Sequence, residues 1–373
     1  METIKVRVPF SDISYEYSFI AREFEAGMRG LINASKLVLS EELERLEDEL
    51  AGYLGREYVV GVGSGTDALF LSLIAAGIGP GEEVITAGNI CVAVMEAIVR
   101  TGALPVFVDI TPHSFSLDQK QVLEAINDQT RAVIVVHPYG MPAEMDMLKD
   151  EIRDELMIIE ACGQAFGARI QGKPVGSFGQ VGCFSFNPDK VIGGLGDGGA
   201  VATDDCQLAL QIKKLRDHGR LGIGSKADRV GFSSRLDAVN ALAVRLKLKH
   251  IDDWIDIRNQ KVSLYQQQLK KTGLQFQRIP EDRTSSYQIL VALTDGNRMQ
   301  MHKELKSKGI MTDFHYRVAP YQMPAFDCHS FRKEGRLQVT DKVISQVISL
   351  PFYTGITEEE IKEVGKNISS LDL

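Results

Sequence analysis

The sequence of 373 residues contains no CxxC pair, although it has five cysteines. They are dispersed, at positions 91, 162, 183, 206 and 328. An odd number of isolated cysteines argues against a disulfide framework, and the missing pairs argue against a zinc site. We therefore expect reduced thiols, a cytoplasmic protein and no bound metal.

Basic clusters, long apolar runs and internal repeats are also absent. A formal net charge of −8 without a basic block argues against nucleic acid and anionic membranes as partners. The apolar stretches are interrupted well short of a membrane span, and the first residues lack the apolar region of a signal peptide. What the chain does have is 44% hydrophobic residues, which is enough for a large core.

Strand-like and helix-like segments alternate through the first two-thirds of the sequence. Residues 131–137 and 156–160 are continuous apolar runs, which are typical of parallel strands buried on both faces. The pattern predicts an α/β fold whose mostly parallel sheet is covered by helices on both sides. We expect N-terminal helices and this large domain over residues 1–250, and a smaller α+β domain over residues 251–373.

The junction of the two domains has its own pattern. Apolar residues recur near helical spacing from Arg235 to about Gly273, which predicts one long helix. Beyond it we expect strands over residues 288–292 and 310–316, with a last helix from Glu358.

Lys190 stands between two strand-like segments, in a turn rich in glycine. A lysine held beside buried strands loses hydration, so its pKa falls and the neutral amine becomes a nucleophile able to form a Schiff base. For a lysine taken at random, a place on a surface turn is the more common explanation. The rest of the sequence has to decide between the two.

A second glycine-rich turn, Gly-Val-Gly-Ser-Gly-Thr at residues 61–66, follows a strand-like segment and precedes a helix-like one. The N–H groups of such a turn converge, and the helix dipole favours an anion, so a phosphate can bind there. Thr66 occupies the place of the third glycine in the dinucleotide-binding fingerprint, so the turn does not match that motif.

The run FSFNPDKVIGGLGDGGAV, which contains Lys190, resembles the lysine segment of the DegT/DnrJ/EryC1/StrS family of pyridoxal-phosphate-dependent sugar aminotransferases. The resemblance implies the PLP-transferase fold type I, the cofactor pyridoxal 5′-phosphate (PLP) and a homodimer whose sites are built from both subunits. Further matching motifs follow in the family's order at residues 63–69, 80–85, 137–140, 164–167, 234–237 and 349–351.

The resemblance also implies roles for individual residues. Lys190 is then the catalytic residue that binds PLP covalently. Gln164 contacts the ring-hydroxyl side of the cofactor, and His315 and Tyr316 match a segment near the substrate. The phosphate contacts fall on Gly65, Thr66, Ser185 and, from the neighbouring subunit, Ser233 where asparagine is usual.

Two positions depart from the family pattern. Ala161 stands where the family has the aspartate that holds a proton on the ring nitrogen of PLP. Its neighbour Glu160 is not expected to substitute, because adjacent residues of a strand point to opposite faces. Cys91 stands where an aromatic side chain usually covers the ring.

These departures leave three functions open. The preferred one is transfer of an amino group from a donor, expected to be glutamate, to a keto-sugar expected to be linked to a nucleotide. The second is another PLP reaction on a sugar-like substrate, one that tolerates an unprotonated ring nitrogen. The third is a non-catalytic relative that binds a sugar nucleotide or a partner enzyme, against which the retained Lys190 argues.

Overall fold

The computed structural model describes residues 5–152, 156–222 and 224–371. Its helices are, in chain order, α1 (Ser14–Ala34), α2 (Glu41–Leu54), α3 (Gly65–Ala75), α4 (Val92–Thr101), α5 (Gln119–Ala125), α6 (Asp146–Glu151), α7 (Cys206–Arg216), α8 (Ala238–Leu248), α9 (Ile251–Leu269), α10 (Arg298–Ser307), α11 (Gln338–Gln346) and α12 (Glu358–Ser369). Its strands are β1 (Tyr58–Val62), β2 (Glu83–Ala87), β3 (Leu104–Val108), β4 (Thr130–Val136), β5 (Met157–Ala161), β6 (Arg169–Ile170), β7 (Lys173–Pro174), β8 (Val181–Ser185), β9 (Gly199–Thr203), β10 (Gln275–Phe276), β11 (Arg283–Thr284), β12 (Leu290–Leu293), β13 (Arg332–Lys333) and β14 (Val347–Leu350).

Within the described part, an eight-stranded sheet has the order β1-β9-β8-β5-β4-β2-β3-β13. β9 runs antiparallel to both of its neighbours, and the other adjacent pairs are parallel. The predicted α/β fold with a mostly parallel sheet is therefore confirmed. None of the described helices is both long and apolar enough to cross a membrane.

Helices cover both faces of this sheet. One face packs against α3, α4, α5 and α7 in the largest cluster of buried apolar side chains. The other face packs against α2, α8 and the first turns of α9. Strands that are enclosed in this way can be apolar along their whole length, which explains the continuous apolar runs in the sequence.

A third apolar cluster lies around the antiparallel sheet β10-β12-β14, with α10, α12 and the last turns of α9. Val8 belongs to this cluster, and β13 returns to the edge of the large sheet. A residue from before position 250 thus packs in the third cluster, and a strand from after position 250 pairs with the large sheet. The predicted division of the chain at residue 250 stays a prediction.

Two elements predicted beyond residue 234 are wrong. The long helix over residues 235–273 is instead α8 and α9, because the N–H of His250 bonds back to Lys247 and tightens the last turn of α8. The strand over residues 310–316 is reduced to isolated bridges, since Ile310 pairs with Val8 while Asp313 pairs with Ser349.

Candidate active site

The carboxyl ends of several parallel strands open on one cavity of about 280 Å³. This is the edge at which open α/β sheets bind ligands, because the loops that follow the strands meet there. Larger cavities, of about 560, 440 and 420 Å³, lie elsewhere on the surface and contain none of the predicted site residues. The predicted residues that line the cavity together are Gly65, Thr66, Gln164, Ser185, Lys190 and Tyr316.

The N-terminus of α3 forms one end of the cavity. The Ser64 hydroxyl caps the helix by accepting a hydrogen bond from the Asp67 N–H at 3.0 Å. The N–H groups of Gly65 and Thr66 lie in the first turn, where a helix offers them no acceptor. Together with the helix dipole and the nearby Ser185 hydroxyl, they form a site suited to a phosphate.

Close contact between α3 and β8 explains why residue 65 is glycine. A Cβ at this position would lie 2.6 Å from the Cβ of Ser185 and 3.1 Å from its Cα. No side chain fits in that space without moving the helix away from the strand. The glycine therefore holds the Ser185 hydroxyl beside the first turn of α3.

Lys190 lies in the loop after β8, with its side chain half-buried in the wall of the cavity. Burial lowers the pKa of Lys190 below its ordinary value, and the charge of Asp189 opposes this only in part. Its Nζ makes no hydrogen bond or ion pair with any residue in the described ranges. Lys247 is buried too, but its Nζ donates to the Gly193 carbonyl at 2.7 Å. Of these two amines, the one at Lys190 is without a hydrogen-bond acceptor in the described ranges.

The inner wall of the cavity is apolar where the family places its aspartate. Ala161 lies there with Val136 and Cys183. Burial raises the pKa of Cys183 to about 12, so the thiol is uncharged. The Ser72 hydroxyl donates its proton to the Ala68 carbonyl, so towards Cys183, 3.5 Å away, it can only act as an acceptor. The Cys183 thiol therefore donates to Ser72 and has no further proton to donate into the cavity.

Glu160 points away from the cavity, as predicted from strand alternation. Its carboxylate is fully buried and accepts hydrogen bonds from the N–H groups of Gly176 and Gly179, both at 2.7 Å. Although burial acts to raise the pKa of Glu160, its bonds to His137 and these N–H groups hold that pKa below its ordinary value. Glu160 therefore stays ionised but cannot reach the cavity.

His137 completes this buried arrangement. Its Nδ1 accepts a hydrogen bond from the Ala143 N–H at 2.8 Å, so its Nε2 carries the proton and donates to Glu160 at 3.0 Å. His137, Glu160 and Cys162 have the spacing of metal ligands, but both imidazole nitrogens are already hydrogen-bonded. His137 and Glu160 thus form a buried hydrogen-bonded pair that lies outside the lining of the candidate site.

Gln164 links the end of β5 to the smaller domain. Its Oε1 accepts from the Tyr139 N–H at 2.9 Å, and its Nε2 donates to the Tyr316 hydroxyl at 3.1 Å. Cys91 precedes α4 and also lines the cavity, so it lies beside these residues as the alignment of motifs predicted.

His315 lies in an adjoining cavity of about 260 Å³, which Lys190 and Tyr316 also line. Its Nδ1 is 2.9 Å from the Ser349 hydroxyl. Burial lowers the pKa of His315, so its ring is neutral at neutral pH. The two predicted substrate residues thus line the same cavity as Lys190.

Comparison with known proteins settles the family. The model of the DegT/DnrJ/EryC1/StrS aminotransferase family matches residues 19–369. This chain belongs to that family. It is similar to the UDP-N-acetyl-3-dehydro-α-D-glucosamine 3-aminotransferase of Acidithiobacillus ferrooxidans, with 33% identity over 97% of both chains.

Solved structures of aminotransferases agree. DesV of S. venezuelae, solved in complex with a ketimine intermediate, has a TM-score of 0.92 and 34% identity, with 98% of each chain covered. NtdA of Bacillus subtilis, solved with bound cofactor PMP, has a TM-score of 0.87 and 26% identity, with 99% of this chain and 86% of that chain covered. The fold is therefore the PLP-transferase fold type I.

Ser233 is the predicted cofactor residue that does not line the Lys190 cavity of its own chain. It is exposed, and its hydroxyl accepts from Arg235 at 3.0 Å. The contact inferred from the DegT/DnrJ/EryC1/StrS family is one with the site of a neighbouring subunit, and it stays a prediction.

Sequence reasoning did not select three residues that line the two cavities. Asn187 and Asp197 lie in the same glycine-rich run as Lys190, and the 3.2 Å hydrogen bond between them was not evident from the sequence. Gln288 comes from the smaller domain and lines the cavity that contains His315. Its position near Lys190 depends on tertiary packing, so no local motif indicates it.

Proposed function

We propose that this aminotransferase moves an amino group from glutamate to a keto-sugar carried by a nucleotide. The observation that carries the proposal is the amine of Lys190, which has no partner in the described ranges and shares one cavity with the first-turn N–H groups of Gly65 and Thr66. The name of the Acidithiobacillus relative, an aminotransferase of a UDP-linked 3-dehydro sugar, supports a nucleotide sugar as the acceptor.

The residues that line the cavity fit PLP at its phosphate group and at its aldehyde group. Gly65, Thr66 and Ser185 would hold the phosphate, and Lys190 would hold the cofactor covalently. When bound, PLP supplies an aldehyde for that bond and a ring that draws electrons from the substrate.

Lys190 would also move the proton of the reaction. Because burial lowers the pKa of Lys190, its Nζ loses its proton more readily than that of an exposed lysine, and the neutral amine can take up a proton as a general base. The same Nζ then returns the proton as a general acid. Gln164 would orient Tyr316 beside it through their hydrogen bond.

The apolar wall at Ala161 favours a second candidate function. Without a carboxylate, nothing on that wall stabilises a proton on the ring nitrogen. A PLP reaction that tolerates an unprotonated ring nitrogen would suit this wall. Production of 2-oxoglutarate from glutamate supports aminotransfer, and a PLP-loaded protein that glutamate does not change supports the alternative.

Covalent trapping tests the shared step of both functions. The protein is incubated with PLP, reduced with borohydride and digested, and the modified peptide is identified by mass spectrometry. We expect the pyridoxyl group on Lys190 and none on Lys247, since the amine of Lys247 is hydrogen-bonded. The Lys190→Ala protein should carry no tag. A tag absent from Lys190 in the unmodified protein contradicts the proposal and favours a non-catalytic relative.

We further propose a cytoplasmic homodimer in which Ser233 of one subunit reaches the phosphate in the site of the other. The exposed position of Ser233 supports this arrangement, because its hydroxyl is available to a second chain. The free state of all five thiols supports a reducing compartment.

A further inference from the structure

A buried serine lies behind His315, in the Ser-Leu-Pro motif at residues 349–351. Ser349 belongs to β14, and its side chain is fully buried. Its backbone exchanges two hydrogen bonds with Asp313, of 2.8 and 3.0 Å. Its hydroxyl is 2.9 Å from the Nδ1 of His315 and has no other partner among the described residues. The pairing of β14 with residue 313 therefore places this hydroxyl against one edge of the imidazole.

The hydroxyl proton of Ser349 decides the tautomer of His315. If Nδ1 carried the ring proton, the hydroxyl would have to accept it, and its own proton would be buried without an acceptor. If the hydroxyl donates to Nδ1, both groups are satisfied and the ring proton lies on Nε2. Burial lowers the pKa of His315, so the neutral ring is the form to consider. His315 therefore has its N–H at Nε2.

The Nε2 edge of the His315 ring stays accessible. Nε2 makes no hydrogen bond with any residue that the structure describes, and it is not one of the buried polar atoms without a partner. Ser349 covers the Nδ1 edge, and the ring of Phe10 stacks nearly parallel to the imidazole, with a centroid distance of 6.0 Å. His315 and Phe10 line the cavity of about 260 Å³ together with Lys190 and Tyr316. The imidazole thus offers a hydrogen-bond donor to a ligand in that cavity.

The charge around this donor favours one class of acceptor. Asp189 lines the same cavity, and no arginine of the described residues lines it or the cavity that contains Ala161. The amine of Lys190 is engaged in the reaction. A carboxylate of glutamate would be repelled by Asp189 here, whereas a carbonyl or hydroxyl oxygen of a sugar carries no charge. The neutral N–H of His315 therefore matches the keto-sugar better than the amino acid.

We infer that Ser349 is a positioning residue that holds His315 in the Nε2–H tautomer, so that His315 donates a hydrogen bond to an uncharged oxygen of the acceptor sugar. The inference rests on the proposed function and adds how the second substrate is recognised. Without the hydroxyl, neither the ring proton nor the ring orientation is fixed, and the donor is lost in part.

NMR measures the tautomer directly. The PLP-loaded protein is labelled with ¹⁵N in histidine, and long-range ¹H–¹⁵N spectra show which ring nitrogen carries the proton. The signals of His315 are those absent from His315→Phe. We expect protonation at Nε2 in the wild type and a second population, protonated at Nδ1, in Ser349→Ala. A wild-type ring protonated at Nδ1 or at both nitrogens overturns the inference, and so does an unchanged spectrum of Ser349→Ala.

Kinetics of the two half-reactions test the contact with the sugar. Glutamate is used for the first, and UDP-N-acetyl-3-dehydro-α-D-glucosamine or its dTDP-linked counterpart for the second. In Ser349→Ala we expect the half-saturating keto-sugar concentration to rise about 3- to 10-fold, as for the loss of one hydrogen bond. The half-saturating glutamate concentration should stay unchanged. Equal rises for both substrates would overturn the inference, and so would an unchanged keto-sugar response.

A double-mutant cycle separates positioning from a general loss of stability. His315→Phe should raise the half-saturating keto-sugar concentration by itself. Adding Ser349→Ala to His315→Phe should raise it no further, because no ring proton is left to be placed. Independent effects of the two substitutions would show that Ser349 does not act through His315.

Ser177→Ala is the matched control. Ser177 is also buried and its hydroxyl donates to the Pro174 carbonyl, but it lines neither cavity. It should leave both half-reactions and the His315 signals unchanged. A loss of keto-sugar binding as large as that of Ser349→Ala would assign the effect to any lost buried hydroxyl and overturn the inference.

Failure of the proposed function looks different. A wild-type protein that reacts with glutamate, but with neither keto-sugar, overturns the sugar contact, while the NMR spectra still decide the role of Ser349. A wild-type protein that does not react with glutamate contradicts aminotransfer itself.

Discussion

Lys190 and Lys247 show how little burial alone says about a lysine. Burial lowers the pKa of both. Lys247 donates to a backbone carbonyl and holds the glycine-rich loop, whereas Lys190 faces a cavity without a partner in the described ranges. The catalytic role that we propose for Lys190 and not for Lys247 follows from what each Nζ contacts.

Replacing Lys190 by methionine should change how stability depends on pH. Since the folded pKa of Lys190 is lowered, the unfolded chain binds more protons between that pKa and the ordinary value of 10.5. The free energy of unfolding of the wild-type apoprotein should therefore rise with pH across this window, relative to Lys190→Met. Urea unfolding of cofactor-free protein at several pH values measures the difference.

The exposed Lys306 on α10 provides the control for losing a positive charge. Lys306→Met should not reproduce the slope. A wild-type stability that falls relative to Lys190→Met over the same window would show that the folded protein does not disfavour the charged amine at position 190.

At the scale of elements, the contact between α3 and β8 sets the shape of the proposed phosphate site. Gly65→Ala should lower the free energy of unfolding by about 1–3 kcal/mol, because the added methyl group collides with Ser185. The displaced first turn should also raise the dissociation constant of PLP about tenfold. Chemical unfolding and a fluorescence titration with PLP check the two effects.

Gly52→Ala is the matched control, since Gly52 lies inside α2 with nothing within 4 Å of its missing Cβ. It should stabilise the protein by about 0.5–1 kcal/mol and leave PLP binding unchanged. If both variants bind PLP equally well, the close approach of α3 to β8 does not shape the site.

Much of the large domain could be predicted because its signals are local. Continuous apolar runs indicated β4 and β5, and the glycines at residues 61–66 indicated the start of α3. The orientation of Glu160 followed from alternation along one strand. Each of these depends on a few neighbouring residues, which a sequence displays directly.

The smaller domain was harder to predict because its pairings join distant segments. Residues 310–316 are apolar enough for a strand, but Ile310 and Asp313 have different partners in space. In the same way, Gln288 reaches Lys190 only after the two parts of the chain have packed together. Such contacts leave no periodic pattern in the sequence.

At the scale of the whole molecule, the proposed dimer predicts complementation between inactive variants. Lys190→Ala removes the proposed catalytic amine, and Ser233→Trp blocks the proposed phosphate contact of the partner. If Ser233 acts across the interface, each mixed dimer contains one intact site. A refolded equimolar mixture should then regain about a quarter of the wild-type activity.

Each variant refolded alone is the control and should stay inactive. A mixture as inactive as the single variants would place Ser233 in the site of its own subunit, or outside any site. Light scattering on the same samples shows whether mixed dimers have formed.

The uncharged surface formed by Val136, Ala161 and Cys183 affects which aromatic rings the cavity can tell apart. A pocket with a carboxylate at that point would distinguish a pyridine from a benzene ring, because only the pyridine can carry a cation there. Among the described residues, Val136, Ala161 and Cys183 offer no such partner at that wall. A carbocyclic analogue of vitamin B6, with CH in place of the ring nitrogen, should be retained as tightly as the natural compound.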